Sequence, residues 1–203
     1  MAYDPSTRDV ALDETALAQL FTEARSRNAF SDKPVPEALI RKLYDLTKFG
    51  PTAANTTPVR FLFITSPEAK ARLTPFMSEG NQAKTASAPV NVIVCYDGDF
   101  HEQMPFLFPH NPDAKHWFGD AEARKTPAVL NSSLQAGYFM IAARALGLDV
   151  GPMIGFDAPG VKSAFLADTT WEPSFVINLG YGTDENLFPR FPRLAFDDAA
   201  KIL

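Results

Sequence analysis

Apolar residues in the first quarter of the chain recur three and four positions apart, which is the spacing of an amphipathic helix. Leu17, Leu20 and Phe21 follow this pattern and predict a helix over residues 13–28. A second helix is predicted over residues 36–50, where a proline suits the first turn and a glycine suits the end. Similar patterns predict further helices over residues 66–77, 78–88 and 127–148.

Three short runs are apolar at nearly every position, which is typical of buried strands. They cover residues 59–65, 89–96 and 174–182. Residues 149–157 are rich in turn formers and are interpreted as a link into a short helix. Because helices and strands mix without strict alternation, the pattern favours an α+β fold or a mixed sheet over a doubly wound fold.

Three segments have patterns that suggest contact with something beyond the sheet. The helix over residues 127–148 is apolar on most of its circumference, so we expect it to be buried, with a subunit interface as one explanation. Residues 97–127 show no clear period but are rich in aromatic side chains, as lids and binding loops often are. The tail over residues 183–203 is too apolar to be disordered, and we expect it to pack on another surface.

Length and composition narrow the class of protein. The 203 residues suit one domain over residues 1–203, with a loose arm at residues 1–12. A net charge of −5 argues against nucleic acid and anionic membranes as partners. No apolar run approaches the roughly 20 residues that span a bilayer, and no apolar signal core is visible near the N-terminus. A single cysteine suits a reducing compartment, so we expect a cytoplasmic protein.

Several motifs of catalytic chemistry are missing from the sequence. There is no G-x-G-x-x-G fingerprint, no phosphate loop of the ATPase type and no G-x-S-x-G elbow. The three histidines lack the spacing of metal ligands, so no metal site is expected. Cys95 lies mid-strand among apolar residues and is interpreted as a small core residue, not a nucleophile.

Four dispersed segments combine small, amide and basic side chains. Guanidinium and hydroxyl groups suit a phosphate, because charged donors make its strongest hydrogen bonds. Amides and a lysine suit a ring with alternating carbonyls and nitrogens. Taken alone, each segment also fits a solvated helix end or an ordinary turn. The segments are ARSRNAF (24–30), the loop PTAANTTP (51–58), GNQAK (80–84) and FPRFPRL (188–194).

In their order and spacing, these segments resemble the nitroreductase family of FMN-dependent oxidoreductases. ARSRNAF and the following DKPV are similar to the family's arginine-serine motif, GPTAANTTP to its proline-serine-x-x-asparagine loop, and GNQAK to its Asn-x-x-Lys. AARALGLDVGPMIGFD and INLGYG are similar to its helix-to-turn segment and its last core strand. LFPH, KHWF, SEGNQAKT and FPRLAF resemble the malonic semialdehyde reductases of pyrimidine degradation in particular.

The resemblance implies an α+β fold with a mixed sheet flanked by helices. It also implies an intertwined homodimer that binds two FMN molecules at its interface, with the tail of one chain packed on its partner. Four groups of residues are implied to contact FMN. They are Arg25, Ser26, Arg27, Asn28, Arg190 and Arg193 at the phosphate and ribityl end, Asn81 and Lys84 at the pyrimidine, Pro152, Met153, Ile154 and Gly155 against the ring, and Thr52, Ala53 and Asn55 at the FMN of the other subunit.

The same resemblance implies an NAD(P)H oxidoreductase. A hydride would pass from NADH or NADPH to flavin N5 and then to an oxidised substrate that takes the place of the nucleotide. The implied substrate is a small aldehyde such as malonic semialdehyde, which would be reduced to 3-hydroxypropanoate. Lys84 would stabilise negative charge on reduced flavin, and no side chain is assigned as acid or base. Candidates for a cation beside the substrate carboxylate are Arg60, His110, Lys115 and Arg124.

Three other functions stay open on sequence grounds. The first is a broad nitro- or quinone reductase on the same scaffold, with residues 97–127 lining a roomy pocket. The second is a flavin-binding protein that turns over no NAD(P)H. The third is a dimerisation module without a cofactor.

Overall fold

The computed structural model describes residues 9–203. Most of the predicted arm at residues 1–12 therefore lies outside the described residues. The fold is built on a four-stranded sheet with the strand order β1-β2-β4-β3. Its strands are β1 (Val59–Ile64), β2 (Val90–Asp97), β3 (Asp149–Met153) and β4 (Trp171–Gly180).

Every pairing between these four strands is antiparallel, so the expected mixed sheet is wrong for this part of the chain. Among the described residues, a parallel pairing occurs in the isolated bridge between Ser26 and Val150. The apolar runs could not distinguish the two arrangements. A continuous apolar run shows that both faces of a strand are covered, and it does not show the direction of the neighbouring strand.

Helices cover both faces of the sheet, and the side chains of strand β2 accordingly point into two separate core clusters. Val92 and Val94 point into one core cluster with Phe139. Ile93 and Cys95 point into a second cluster on the opposite face. Successive side chains of a strand face opposite sides, so a strand between two cores is apolar at every position.

The helices that flank the sheet follow the predicted order with shifted ends. The first helix ends well before residue 28, because the backbone of Ser26 and Arg27 pairs with β3 instead of continuing the helix. The helices are α1 (Glu14–Leu17) with a π-helical turn (Ala18–Thr22), α2 (Glu37–Thr47), α3 (Pro67–Leu73), α4 (Glu79–Ser87), α5 (Met104–Leu107), α6 (Ala121–Ala145), α7 (Ala158–Phe165) and α8 (Phe196–Ala199).

Strand β3 is an element that the sequence pattern did not predict. Residues 149–157 were expected to form a turn-rich link, but Asp149–Met153 pair with β4. The sequence pattern did not indicate a strand here because Gly151 and Pro152 are residue types that usually interrupt strands. β3 lies at the edge of the four-stranded sheet, where a proline is tolerated because its missing N–H faces away from the neighbouring strand.

Helix α6 is buried on one side and exposed on another in the single chain, so its burial at a subunit interface stays a prediction. Ala136 and Phe139 on one side are buried in the core. Leu130, Leu134 and Tyr138 lie four residues apart on another side and are exposed. Within residues 9–203, no helix combines the length and apolar character needed to cross a membrane.

The segment over residues 97–127 is more ordered than its sequence suggests. It contains α5 and two 3₁₀ helices, Phe100–Gln103 and Pro112–Phe118. Short 3₁₀ pieces lack the 3.6-residue period, which explains why the pattern gave no signal.

The tail over residues 183–203 forms only the short helix α8 and leaves several large apolar side chains exposed. Phe191, Leu194 and Phe196 are among them. The tail therefore does not bury its apolar side chains within its own chain, and its packing on a partner stays a prediction.

Gly151 is expected to tolerate no side chain. A Cβ at this position would lie 2.5 Å from the main-chain oxygen of Arg27, so Gly151→Ala must displace one of the two backbones. We expect the free energy of unfolding to fall by about 1–3 kcal/mol, the usual cost of overpacking, as measured by denaturant titration.

Gly80→Ala is the matched control for this substitution. Nothing lies within 4 Å of a Cβ at this helical position, so the change should be neutral or should stabilise by about 0.5–1 kcal/mol. Unchanged stability of the Gly151→Ala protein would contradict the close approach of the two backbones.

Candidate functional site

A cavity of about 700 Å³ forms where the N-terminal segment meets the C-terminal tail. Five residues that the sequence singled out line it together, although more than 150 residues separate the two segments in the chain. They are Arg25, Ser26, Asn28, Arg190 and Arg193.

Backbone pairing with the sheet holds the N-terminal side of this cavity. The amide of Arg27 donates to the carbonyl oxygen of Val150 at 3.1 Å, and Ser26 bridges the same residue. Further along the chain, the amide of Ser31 donates to the carbonyl oxygen of Tyr181 at 2.9 Å. These bonds tie residues 26–31 to β3 and to the end of β4.

Side chains of the N-terminal segment and the tail fasten the two together. Arg25 donates to the carbonyl oxygen of Phe188, and Asn28 donates through Nδ2 to the carbonyl oxygen of Asn186 at 2.9 Å. In the opposite direction, Arg190 donates through Nη2 to the carbonyl oxygen of Ala24 at 3.2 Å. The tail is therefore held across the mouth of the cavity by the same residues that line it.

The charge in this cavity is strongly one-sided. Arg25, Arg144, Arg190 and Arg193 line it, and none of its lining residues in the described part of the chain is acidic. Within residues 9–203, none of these arginines forms an ion pair. Such a concentration of positive charge in a protein of net charge −5 suits an anion, and a phosphate group forms its strongest hydrogen bonds with charged donors.

Arg27 does not line this cavity, although we expected it beside the phosphate. Its guanidinium forms ion pairs with Asp149, at 3.3 Å, and with Asp184, and it also donates to the carbonyl oxygen of Thr183. Burial lowers the pKa of Arg27, but the hydrogen bonds and charges of the two carboxylates outweigh burial and leave that pKa raised. The two carboxylates hold the guanidinium of Arg27 at the end of β4, outside the lining of this cavity, and a contact of Arg27 with a phosphate stays a prediction.

Arg144 is a cavity residue that the sequence reasoning missed. It lies in the last turn of α6, and the apolar pattern of this helix indicates packing and gives no sign of an anion site. Nη1 of Arg144 donates to the carbonyl oxygen of Leu20 at 2.9 Å, and Nε2 of Gln19 donates to the carbonyl oxygen of Arg144 at 2.6 Å. A charged residue within an apolar helical stripe was the signal that could have identified it.

A second part of the candidate site lies where α4 meets the turn after β3. Asn81 donates through Nδ2 to the carbonyl oxygen of Gly155 at 2.9 Å, and the amide of Ser78 donates to the same oxygen at 3.0 Å. A Cβ at position 155 would lie 2.8 Å from Nδ2 of Asn81, so a glycine is required for this contact. The structure thus brings Asn81 together with the end of the segment Pro152–Gly155.

Two buried asparagines attach α4 to the sheet. Asn178 donates to the carbonyl oxygen of Lys84 at 3.0 Å. Asn91 donates to the carbonyl oxygen of Thr85 at 3.0 Å and to Oδ1 of Asn178 at 2.8 Å. Because both asparagines are fully buried, these bonds fix the position of the backbone that carries Lys84.

The surface beside α4 combines a free cation with exposed apolar side chains. The ammonium group of Lys84 forms no ion pair within residues 9–203. Met153 is buried, whereas Pro152 and Ile154 point outward, and Ile154 is 85% exposed. This alternation is that of an edge strand with one face open to a ligand or to solvent.

The loop over residues 51–58 does not line the arginine cavity. The amide of Ala53 donates to Oδ1 of Asn131 at 2.8 Å, and Asn55 donates to the carbonyl oxygen of Leu107 at 2.8 Å. Asn55 instead lines a second cavity of about 500 Å³ with Arg60 and residues of α5. Within one chain, the structure therefore does not bring Thr52, Ala53 and Asn55 together with the arginines.

The same loop has an unusual backbone. Ala54, Asn55 and Thr57 have φ angles of 49°, 55° and 37°, in the left-handed region that non-glycine residues rarely adopt. Each such residue costs on the order of 1–3 kcal/mol and persists only where its surroundings hold it. The side chain of Thr52 accepts from the amide of Thr57 at 3.1 Å and supplies part of that support.

Most of the candidate cations for a substrate carboxylate already have an acidic partner. Arg60 pairs with Asp97 at 2.7 Å, Lys115 with Glu102 at 3.7 Å, and Arg124 with Asp99 at 3.2 Å. The fourth candidate, His110, lies against the ring of Phe108 with 3.8 Å between ring centroids.

Cys95 is fully buried, which confirms its interpretation as a core residue. Burial raises the pKa of its thiol to about 12, so the reactive thiolate is almost absent near neutral pH.

Known proteins resemble this chain closely in sequence. Residues 22–181 match the profile of the Nitroreductase family. A protein of Caulobacter sp. (strain K31), provisionally named NADH dehydrogenase/NAD(P)H nitroreductase, is 60% identical over 192 residues, which cover 95% of this chain and 98% of that protein. A Burkholderia lata protein with the same provisional description is 58% identical, covering 94% and 98%. The chain therefore belongs to the nitroreductase family.

Solved structures share the fold at lower sequence identity. A protein of Bacillus subtilis, provisionally described as a nitroreductase, superimposes with a TM-score of 0.82 at 23% identity and covers 94% of this chain and 100% of its own. A provisionally described nitroreductase of Exiguobacterium sibiricum 255-15, solved in complex with FMN, gives a TM-score of 0.82 at 22% identity, covering 95% and 98%. The expected nitroreductase-like α+β fold is confirmed.

Proposed function

We propose that this protein is an FMN-dependent NAD(P)H oxidoreductase. The observation that carries the proposal is the cavity lined by Arg25, Arg144, Arg190 and Arg193, with no acidic side chain from residues 9–203. The names of the similar proteins, which refer to NAD(P)H nitroreductases, and the FMN complex of one protein with the same fold support it.

The donor set of the chain fits FMN at both of its ends. Arginines with a serine hydroxyl and an asparagine amide suit a phosphate and the hydroxyls of a ribityl chain. Asn81 and Lys84 offer an amide and a cation to a ring with carbonyls and nitrogens. The exposed Pro152 and Ile154 offer it an apolar surface.

When bound, FMN supplies the hydride chemistry, and the chain binds and orients it. The arginines hold the phosphate end and set the position of the rest of the cofactor. Lys84, whose backbone the two buried asparagines fix, stabilises negative charge at the pyrimidine end electrostatically. Pro152 and Ile154 would help to exclude water from the bound ring. No side chain of this site is assigned as a proton donor.

The proposed acceptor is a small aldehyde such as malonic semialdehyde. The support comes from the sequence segments LFPH, KHWF, SEGNQAKT and FPRLAF, which resemble reductases of that substrate. Of the four candidates for contact with a substrate carboxylate, His110 is the one without an acidic partner within residues 9–203.

A broad nitro- or quinone reductase is the second candidate. Phe106 and Trp117 are exposed, and Trp117 stands edge-on to Phe108 with 5.6 Å between ring centroids. Aromatic side chains suit flat acceptors. Relative rates with malonic semialdehyde, a nitroarene and a quinone separate the two candidates, because a dedicated aldehyde reductase favours the first of these strongly.

We also propose that the functional unit is a homodimer in the cytoplasm. The exposed apolar side of α6 and the apolar tail over residues 183–203 each need a covering surface. In the proposed dimer, the tail packs on the partner, and Thr52, Ala53 and Asn55 reach the FMN of the partner. This arrangement accounts for a loop that lines no part of its own arginine cavity.

The purified protein should be yellow and should release FMN on heating. NADH or NADPH should bleach the flavin absorbance in anaerobic solution, and an acceptor should restore it. FAD in the supernatant, or no flavin after reconstitution with excess FMN, would contradict the proposal. Bound FMN that neither NADH nor NADPH bleaches would favour a flavin-binding protein without this activity.

Light scattering should give the mass of a dimer at micromolar concentration. Obligate interfaces bury more than about 2,000 Å², so a charge in the contact should separate the chains. Leu134→Glu, on the exposed side of α6, should produce monomers, whereas Ala71→Glu, at an exposed position of α3, should leave the dimer intact. A flavin-loaded monomer of the parent protein, or a Leu134→Glu protein that stays dimeric, would rule this interface out.

Lys84→Met should lower the midpoint potential of the bound flavin at saturating FMN. The substitution keeps most of the side-chain length and removes a cation that favours the reduced, more negative state. Flavin bleaching by NAD(P)H should slow in stopped flow, and a loss of about 1.4 kcal/mol would slow it roughly tenfold. Lys42→Met, on the exposed surface of α2, is the control, and a parental potential in Lys84→Met would remove Lys84 from the chemistry.

A further inference from the structure

Arg144 differs from the other arginines of the cavity in its origin and surroundings. Arg25, Arg190 and Arg193 come from the two segments that form the mouth, whereas Arg144 comes from the last turn of the core helix α6. It is partly buried, and it was not among the residues that the family resemblance assigned to FMN. Its presence in the cavity therefore needs its own explanation.

The guanidinium of Arg144 is only partly satisfied by the protein. Nη1 donates to the carbonyl oxygen of Leu20 at 2.9 Å. Nε is buried and has no hydrogen-bond partner within residues 9–203, and Nη2 donates to no acceptor in that range. The nearby carboxylate of Asp149 is bonded to Arg27 and to the amide of Gly182.

A charged group that is partly buried without a counter-ion destabilises a protein unless something compensates for it. Burial lowers the pKa of Arg144, with the charge of Asp149 acting in the opposite direction, but an arginine stays charged at neutral pH. Among the described residues, the cavity on which Arg144 opens is lined by three other arginines and no acidic side chain. An anionic ligand in the cavity would supply a counter-ion for Arg144.

We propose that Arg144 is a phosphate-binding residue of this cavity and contacts the phosphate group of the flavin nucleotide directly. The inference rests on the proposed function, since it takes FMN as the occupant. Through Nη1, the same side chain holds the carbonyl oxygen of Leu20, and Leu20 precedes the cavity residues Phe21 and Thr22. One guanidinium would thus bind the phosphate and also hold the π-helical turn (Ala18–Thr22) in place.

The test compares FMN with riboflavin, which lacks the phosphate, by quenching of flavin fluorescence on titration with deflavinated dimer. The variant is Arg144→Gln, which keeps an amide donor for Leu20 but removes the charge. Its Kd for FMN should rise about tenfold or more, as for the loss of a charge-assisted hydrogen bond, while its Kd for riboflavin changes by less than about threefold.

Two further variants calibrate this result. Arg25→Gln, at the mouth of the same cavity, should show the same selective loss of FMN affinity. Arg41→Gln should leave both affinities unchanged, because Arg41 lies on exposed α2 in an ion pair with Glu37.

The outcomes separate this inference from the proposed function. If the parent protein binds riboflavin as tightly as FMN, the cavity is not a phosphate site and the proposed function fails with it. If the parent prefers FMN and Arg144→Gln keeps that preference, the assignment of Arg144 alone is wrong. Equal losses for both flavins would show a role in folding only and would also overturn it.

A crystal structure of the parent holoenzyme tests the contact without any variant. A guanidinium nitrogen of Arg144 should lie within about 3.2 Å of a phosphate oxygen, the range of charge-assisted hydrogen bonds. A well-ordered phosphate bound only by other residues would refute the proposal, even if Arg144→Gln fails to fold.

Discussion

The backbone of Ser26 and Arg27 lies against β3 at a distance that requires a glycine at position 151. This contact ends the first helix early and directs residues 24–28 along the edge of the sheet. It also places them beside the C-terminal end of α6 and the returning tail. The arginine cavity depends on this pairing, because it sets the course of the N-terminal segment, to which hydrogen bonds from Arg25, Asn28 and Arg190 then fasten the tail.

The cavity carries positive charge that no acidic residue within residues 9–203 neutralises. The protein has more acidic than basic residues, yet Asp149 and Asp184 pair with Arg27 and leave the cavity without a carboxylate. Unpaired guanidinium groups beside each other repel and destabilise the folded state. A phosphate removes that repulsion when it binds, so FMN would stabilise the fold as well as supply the chemistry.

The single chain leaves several features incomplete that a second chain would complete. The exposed side of α6 and the apolar tail lack a covering surface, and the strained loop over residues 51–58 lines no part of the arginine cavity. In the proposed dimer, burial of the apolar surfaces brings the loop of one chain to the cofactor of its partner. Assembly and cofactor binding would then depend on each other, and a weakened interface would also weaken flavin binding.

The sequence by itself predicted three strands and three of the four arginines that line the cavity. A strand between two cores must be apolar on both faces, and the residue types at Arg25 and Arg193 suit an anion whatever the fold. Only the tertiary structure decided that Arg144, and not Arg27, joins them. Arg27 forms ion pairs with two carboxylates that are distant in sequence, and Arg144 reaches the cavity because it lies at the end of a core helix. Neither arrangement produces a local pattern in the sequence.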